Sequence, residues 1–350
     1  MISLSVCMIV KNEEDVLARI LQCVNKFADE IIIIDTGSSD NTINIAKSFT
    51  DKVFNFEWCD DFSKARNYSF SLATKEYIMW LDADDYIDED NINKILQLKQ
   101  SATANIDVYM LKYIMGFNGN NHNLEFYRER IIKNNGKFFW EGFVHEVITP
   151  SGNIQYLDIS IKHKKEKIGN PKRNLQLYNN ALKNNIPFSP RDQYYYSREL
   201  YYNNYLTKAE KQLKKYLKMN DTYAPNILGA YEILSNICLL NNKTGNGKKY
   251  IFECLMEHSP SPQLIINLAK LYELENNIQN SIYFYHSIPT IPRTTSGFIN
   301  PDAYAFIPYM ELTRLYYKIG NHEIAKTYHN LAKKIHPNHP SVIYNEQYFK

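Results

Sequence analysis

The chain has 350 residues, of which 44% are hydrophobic and 22% charged, with a net charge of +2 when His is neutral. That composition belongs to an ordinary globular protein and excludes a disordered, collagenous or low-complexity chain. The length accommodates two domains or three small ones, and the near-zero charge gives no argument for nucleic-acid binding.

Five cysteines (7, 23, 59, 238 and 254) form no Cys-x-x-Cys pair and no Cys/His metal spacing. Neither a disulfide framework nor a zinc module is expected. The apolar run Ile2–Val10 follows Met1 without a basic segment and ends in Lys-Asn-Glu-Glu, so it reads as a buried strand rather than a signal peptide. No stretch of about 18 apolar residues occurs, so no membrane span is expected. The expected location is cytoplasmic. Charge is uneven: residues 1–170 carry 19 basic against 25 acidic residues, residues 171–350 carry 21 against 13. Two parts with different roles would produce this, as would drift of solvated surface charge.

Leu4–Val10 is the first strand. Asn12-Glu13-Glu14-Asp15 places a cap candidate and acids at a helix start, and Val16, Leu17, Ile20, Leu21 and Val24 then follow helical spacing. Glu30–Asp35 is a continuous β-branched run, as in a parallel strand buried on both faces. A turn at 36–40, a helix at Asn41–Phe49, a strand at Lys52–Trp58, a helix at Ser63–Ala73 and a strand at Tyr77–Leu81 complete a β-α-β-α-β-α-β order. This order predicts a parallel, doubly wound sheet with ligands beyond the carboxyl ends of its strands. Asp35 and Asp82 stand at those ends. A helix at Asn91–Leu98 follows, then strands or hairpins at Val108–Met115, Leu124–Ile132 and Lys137–Ile148, and a short strand at Ile159–His163.

Several residue groups along this half carry chemistry. The tetrad Asp82-Ala83-Asp84-Asp85 clusters carboxylates that repel unless a cation sits among them, and a hard divalent ion shared with phosphate oxygens fits; a solvated acidic loop is the ordinary alternative. Asp35 either contacts a ribose or base, or bonds its own turn. Arg66 and Asn67 either contact a nucleotide or lie in a surface ion-pair region. In Trp140-Glu141-Gly142-Phe143-Val144-His145-Glu146, Trp140 is placed to stack on a sugar and Glu146 or Glu141 to act as general base, unless the segment is a plain hairpin. His163 is a candidate metal ligand, and Lys164, Lys165 and Lys167 beyond it are candidates to screen phosphate.

The segments CMIVKNEE (7–14), IIIIDTGSSDNT (31–42), DDFSKARNYSFSLA (60–73), YIMWLDADD (77–85) and WEGFVHE (140–146) occur in one series. In that order they resemble the family 2 glycosyltransferases of the GT-A fold, in particular the bacterial branch with C-terminal tetratricopeptide repeats. The resemblance covers about residues 3–165 and implies a Rossmann-like, mixed α/β sheet domain, a nucleotide-sugar donor, Mn2+ or Mg2+, and inversion at the anomeric carbon. By position, the backbone at Met8–Val10 and the acid Glu13 would border the nucleoside. Asp35 would contact uridine or its ribose. Arg66 and Asn67 would line the donor pocket, Asp82 with Ala83 beside it would reach the ribose, and Asp84 would hold the metal. His163 would be a second metal or phosphate contact. Glu146 would be the base, with Glu141 as the alternative. Thr36 stands where many relatives carry a second acid.

From about residue 190 strand signals stop. The motifs around Leu200, Ile237, Leu271 and Leu315 are spaced by 37, 34 and 44 residues, the last lengthened by the Pro-rich insertion Ser287–Pro301. A period of about 34 residues is that of tetratricopeptide repeats, each a helix-turn-helix. The expected division is a catalytic domain at 1–168, a helical linker at 169–190 marked by Pro187 and Pro190, and an all-α repeat domain at 191–350. Such repeats hold a peptide or protein acceptor, or pair two copies of the enzyme. The resemblance therefore implies transfer of a hexose or N-acetylhexosamine from a UDP-sugar to a Ser, Thr or Cys side chain. A transferase of cell-surface glycans and a non-catalytic nucleotide-binding adaptor are the alternatives. The intact acid tetrad speaks against the adaptor.

Overall fold

The computed structural model describes residues 2–102, 105–118, 121–164, 170–221, 223–293 and 300–349. By internal contact the chain divides into two compact units, Met1–Ile186 and Pro187–Lys350.

The first unit is an eight-stranded mixed sheet flanked by helices. Its strands are β1 (Leu4–Val10), β2 (Glu30–Asp35), β3 (Val53–Asn55), β4 (Tyr77–Trp80), β5 (Asp85–Tyr86), β6 (Val108–Asn118), β7 (Asn121–Lys133) and β8 (Ile154–His163), in the order β3-β2-β1-β4-β7-β6-β8-β5. The connecting helices are α1 (Leu17–Val24), α2 (Thr42–Lys47), α3 (Phe62–Ser71), α4 (Glu89–Ser101) and α5 (Arg173–Lys183). Strands β3, β2, β1 and β4 run parallel, with Val10 opposite Asp35, and β7 joins β4 antiparallel. Alternate residues face alternate layers. Val6, Met8, Ile31, Ile33 and Met79 pack with Leu17, Ile20, Leu21 and Val24 of α1 on one face. Cys7, Ile32, Ile34, Ile78 and Trp80 pack with Phe70, Phe138 and Trp140 on the other. Two covered faces explain why these strands are continuously apolar.

Departures from the sequence reading cluster where periodicity is weak. Residues 137–148 form no strand; they hold one isolated bridge, Glu141 with Val147, between bends at Gly136, Gly142 and His145, all at positive φ. Such backbone cannot continue a pleated strand. β3 is shorter than the expected 52–58 strand. β8 starts at Ile154, five residues earlier than expected, and its first half is mostly exposed. The two-residue β5 lies inside the acid tetrad and its flank. The helix within the segment read as a linker, α5, belongs to the first unit. Lys165 and Lys167 lie outside the described residues.

The second unit is built of helical hairpins: α6 (Pro190–Tyr202) with α7 (Leu206–Tyr216), α8 (Ala224–Leu240) with α9 (Thr244–Glu257), α10 (Pro262–Leu274) with α11 (Ile278–Ser287), and α12 (Phe306–Lys318) with α13 (His322–Ile335), followed by α14 (Pro340–Asn345). The turn after each first helix uses a residue at positive φ: Asn204, Asn242, Asn276 and Gly320. Asn is the non-glycine residue that best tolerates that conformation. In each turn the following N–H reaches back five residues, Tyr205 to Leu200, Lys243 to Cys238, Asn277 to Tyr272 and Asn321 to Tyr316, at 2.8–2.9 Å. These are Schellman closures, which satisfy the orphan carbonyls of the helix end. Residues 294–299 of the Pro-rich insertion lie outside the described residues; Ile288 and Ala303 on either side enter the α10–α12 core.

Candidate active site

Parallel pairing brings the carboxyl ends of β1, β2 and β4 to one edge of the sheet. At the end of β1 the Val10 carbonyl accepts from both N–H and Oγ1 of Thr36, each at 3.0 Å. Thr36 therefore ties the two strand ends together. Asp35 is 3% exposed. Its carboxylate accepts from Gly37 N–H at 3.0 Å and Ser38 N–H at 3.1 Å, so it builds the turn beyond β2. Glu13 is half-buried, and its N–H donates to Thr42 Oγ1 at 2.7 Å.

Asp61 caps α3 by accepting from Lys64 N–H at 3.1 Å, which sets Arg66 and Asn67 one turn in. Arg66 is the centre of the site. Its Nη2 donates to Asp82 Oδ1 at 2.8 Å and its Nε to Glu146 Oε1 at 2.7 Å. The guanidinium lies 4.7 Å from the Trp140 ring centroid and 5.3 Å from that of Trp80. Burial opposes its charge, but Asp82 and Glu146 outweigh burial and raise its pKa. Burial likewise pushes the Asp82 carboxyl up, while Arg66 and then Arg130 hold it down at about 2.

The Asn67 amide donates to the Trp140 carbonyl at 3.0 Å and accepts from the Trp140 N–H at 2.8 Å, clamping the loop to α3. Trp140 does not offer its ring to a sugar. It is 2% exposed and packs edge-on to Trp80 at 4.7 Å and against Phe70. Glu146 stays at the site through Arg66, whereas Glu141 is exposed and is held by its backbone pairing with Val147.

Beyond β4, Ala83 is buried and Asp84 half-buried. The ligand atoms of Asp84, Asp85 and His163 lie within 4.8 Å of one another. β5 pairs with β8 so that Asp85 is opposite His163, and Asp84 Oδ1 lies 3.3 Å from His163 Nδ1. Burial alone would lower the His163 pKa; the carboxylates of Asp84 and Asp85 raise it to about 10. Asp85 differs from Asp84 in being fully buried and ion-paired with Arg130 of β7 at 3.1 Å.

Arg130, Tyr113 and Arg128 were not singled out from the sequence. The available signal was Arg128-Glu129-Arg130 running into Ile131-Ile132 in one strand. Charges inside a buried strand demand partners, but nothing in the spacing says which.

A family model described as "Glycosyl transferase family 2" matches residues 5–203. A TPR repeat-containing protein of Synechococcus elongatus is 45% identical over 85 residues, 24% of this chain and 21% of that protein. The SPbeta prophage-derived glycosyltransferase SunS of Bacillus subtilis is 30% identical over 254 residues, 67% of this chain and 58% of that protein. Among solved structures, a thermophilic TPR protein of Thermus thermophilus is 18% identical and superposes with a TM-score of 0.37 over 50% of this chain and 88% of its own. The chain thus spans about a fifth and under three fifths of the length of these two curated relatives.

Proposed function

Because the chain belongs to glycosyl transferase family 2, we propose that it transfers a hexose or N-acetylhexosamine from a UDP-sugar to a Ser, Thr or Cys side chain of a peptide or protein, with inversion. The observation that carries this reading is the pairing of Asp82 and Glu146 on one guanidinium, close in sequence to the Asp84–His163 pair. A donor-side acid and an acceptor-side acid are held together beside the carboxylate and imidazole that are the candidate cation ligands. Val10, Glu13 and Asp35 shape the rim on which the nucleoside is placed.

The Asp84 carboxylate oxygen suits Mn2+ or Mg2+, and the imidazole nitrogen of His163 favours Mn2+ of the two. Asp84 and His163 would hold such an ion, which when bound neutralises charge on the departing diphosphate. Glu146 takes the proton of the acceptor O–H or S–H. The acceptor heteroatom bonds to the anomeric carbon from the face opposite the diphosphate, and the carbon–oxygen bond to the diphosphate breaks with its electron pair. One displacement gives inversion. Arg66 holds Glu146 Oε1, which fixes the direction of the carboxylate. Glu146 is preferred to Glu141 on this ground.

The helical hairpins support a peptide or protein acceptor. They expose Tyr202 and Tyr283, each 66% accessible, as stacking and hydrogen-bonding surface. Cytoplasmic residence fits the free thiols of Cys7, Cys23, Cys59, Cys238 and Cys254, and no described helix is long and apolar enough to cross a membrane.

The test is a thermal-shift panel of UDP-, GDP- and dTDP-sugars, each with and without Mn2+. A ligand that binds only the folded chain raises its Tm by mass action. One UDP-sugar should give a Mn2+-dependent shift. Folded protein that responds to no nucleotide sugar contradicts the reading.

A further inference from the structure

The last acid of the tetrad is placed among the cation ligands and yet is spent elsewhere. Asp85 and Arg130 are both fully buried. We propose that they form one positioning unit, which fixes Asp84 and His163 in the geometry that accepts a divalent cation, and that Asp85 is not itself a ligand. This rests on the metal reading given above.

A two-residue strand such as β5 makes too few ladder bonds to hold itself in place. The Asp85 carboxylate supplies what is missing. Its Oδ2 accepts from Asp82 N–H at 3.0 Å, closing the tetrad into a turn, and from Arg130 Nη1 at 3.1 Å. Its Oδ1 accepts from the Tyr113 hydroxyl at 2.9 Å. Arg130 Nη1 also reaches the Trp80 carbonyl at the end of β4 at 3.1 Å. The Tyr113 hydroxyl lies 2.9 Å from His163 Nδ1. One carboxylate therefore ties β4, β6 and β7 to the turn that carries Asp84 and, through Tyr113, to the ring of His163. With Oδ1 and Oδ2 already accepting three bonds, a cation bound directly to Asp85 would strip a buried guanidinium of its counter-charge. Among the described residues Asp84 shows no such engagement, and its Oδ1 faces His163.

The pair is an expensive way to stabilise a sheet. Among the described residues, Arg130 Nε and Nη2 are buried with no hydrogen-bond partner. The guanidinium is instead covered by the Trp80 ring at 3.7 Å and the Tyr113 ring at 4.2 Å. Desolvation offsets most of the attraction in such a pair, and apolar residues of like volume would hold the fold as well. What apolar residues would not do is fix the direction of Asp85 and the Tyr113 hydroxyl. The Asp84 backbone is braced from the other side, where its carbonyl accepts from Lys164 N–H at 2.9 Å and Arg19 Nη2 at 3.3 Å. The Arg130–Asp85 pair sets the side of the turn that bears the ligand.

The experiment compares the full chain with Asp85→Asn, Arg130→Lys and the double variant Arg130→Met/Asp85→Asn. The double variant removes both charges together and so leaves no uncompensated buried ion. Two quantities are read: amide hydrogen exchange at Asp85 and Lys164 against Ile32 and Ile33 in the sheet core, and Mn2+ affinity by titration. The expected result is exchange at Asp85 and Lys164 faster by about tenfold or more, with Ile32 and Ile33 unchanged, because local opening is separate from global unfolding. Mn2+ affinity should fall about 10- to 100-fold, as for groups that orient metal ligands. Asp85→Asn should lose as much as the double variant, since the two residues act as one. Arg130→Lys should fall short of wild type, because an ammonium cannot span Trp80 and Asp85 as a fork does. If Asp85→Asn loses Mn2+ while Arg130→Lys and the exchange rates stay at wild-type values, Asp85 is a ligand and the proposal is overturned. If the wild type takes up no Mn2+, the metal reading fails, and unchanged exchange at Asp85 and Lys164 would then overturn the positioning unit by itself.

Discussion

Arg66 carries one charge against two carboxylates, Asp82 and Glu146, and this arrangement decides what each acid can do. Arg66 and then Arg130 outweigh burial and hold the Asp82 carboxyl down at about 2, which makes it a weak base. In the proposed mechanism Glu146 is the base. Glu146→Gln should lower transfer to the acceptor by about 10²- to 10⁴-fold, the usual worth of a positioned general base, while UDP-sugar binding measured by calorimetry is retained. Glu141→Gln should stay within a few fold of wild type in the same assay. Equal losses in the two variants would reassign the base. The acids at the strand ends were legible because each closes an apolar run. The bonds between Asn67 and Trp140 were not legible, because they cross a loop bent at Gly136, Gly142 and His145 that no hydrophobic period describes. Residue type and position point to a site, but whether a side chain is spent on structure depends on the bond it finds.

At the scale of elements, buried polar groups tie neighbouring strands at the edge opposite the site. Glu30 opens β2 and accepts from Ser5 of β1, from Lys52 before β3, and from Thr74 N–H and Oγ1 before β4, the last two at 2.8 Å. Burial pushes its carboxyl up, but these donors win and hold it at about 2, below the ordinary 4.5. A depressed carboxyl contributes stability that is complete above the unfolded pKa of about 4.5 and is lost as pH falls toward 2. Glu30→Gln should therefore be less stable at pH 7 by about 1–3 kcal/mol. Its stability should also fall less steeply than that of wild type between pH 5 and pH 2. Urea denaturation at pH 7, 4 and 3 measures both, and parallel curves for the two proteins would show that Glu30 does not carry the effect. In the helical hairpins the positive-φ asparagines make a sharper prediction. Asn242→Gly should leave Tm unchanged or raised, whereas Asn242→Val should cost about 1–2 kcal/mol, because a β-branched residue resists that conformation. Equal Tm values for the two would show that Asn242 is not held there. The parallel half of the sheet and the hairpins were legible because their periods are strong. β5 was not, since two residues carry no period, nor was the start of β8, whose first half is mostly exposed.

At the scale of the molecule, the family match ends at residue 203, just after α6, while internal contacts close the first unit at Ile186. The chemistry assigned above lies wholly in that first unit. Removing Pro187–Lys350 should leave donor hydrolysis within a few fold and reduce transfer to a peptide acceptor by about tenfold or more, as expected when a binding surface rather than a catalytic group is lost. Loss of both in equal measure would make the hairpins structural. The two-part division was visible in the shift from strand runs to a helical period and in the opposite charge of the two halves. Within the segment read as a linker, α5 buries Leu175, Leu177 and Tyr178. The most direct test of the account is Mn2+-dependent release of UDP from UDP-sugars by the full chain and by Asp84→Asn. Wild type should release UDP with Mn2+ and stop when the ion is chelated. Asp84→Asn should release none at an unchanged Tm. UDP release that is indifferent to the metal, or that persists in Asp84→Asn, would contradict a donor site built around Asp84 and His163.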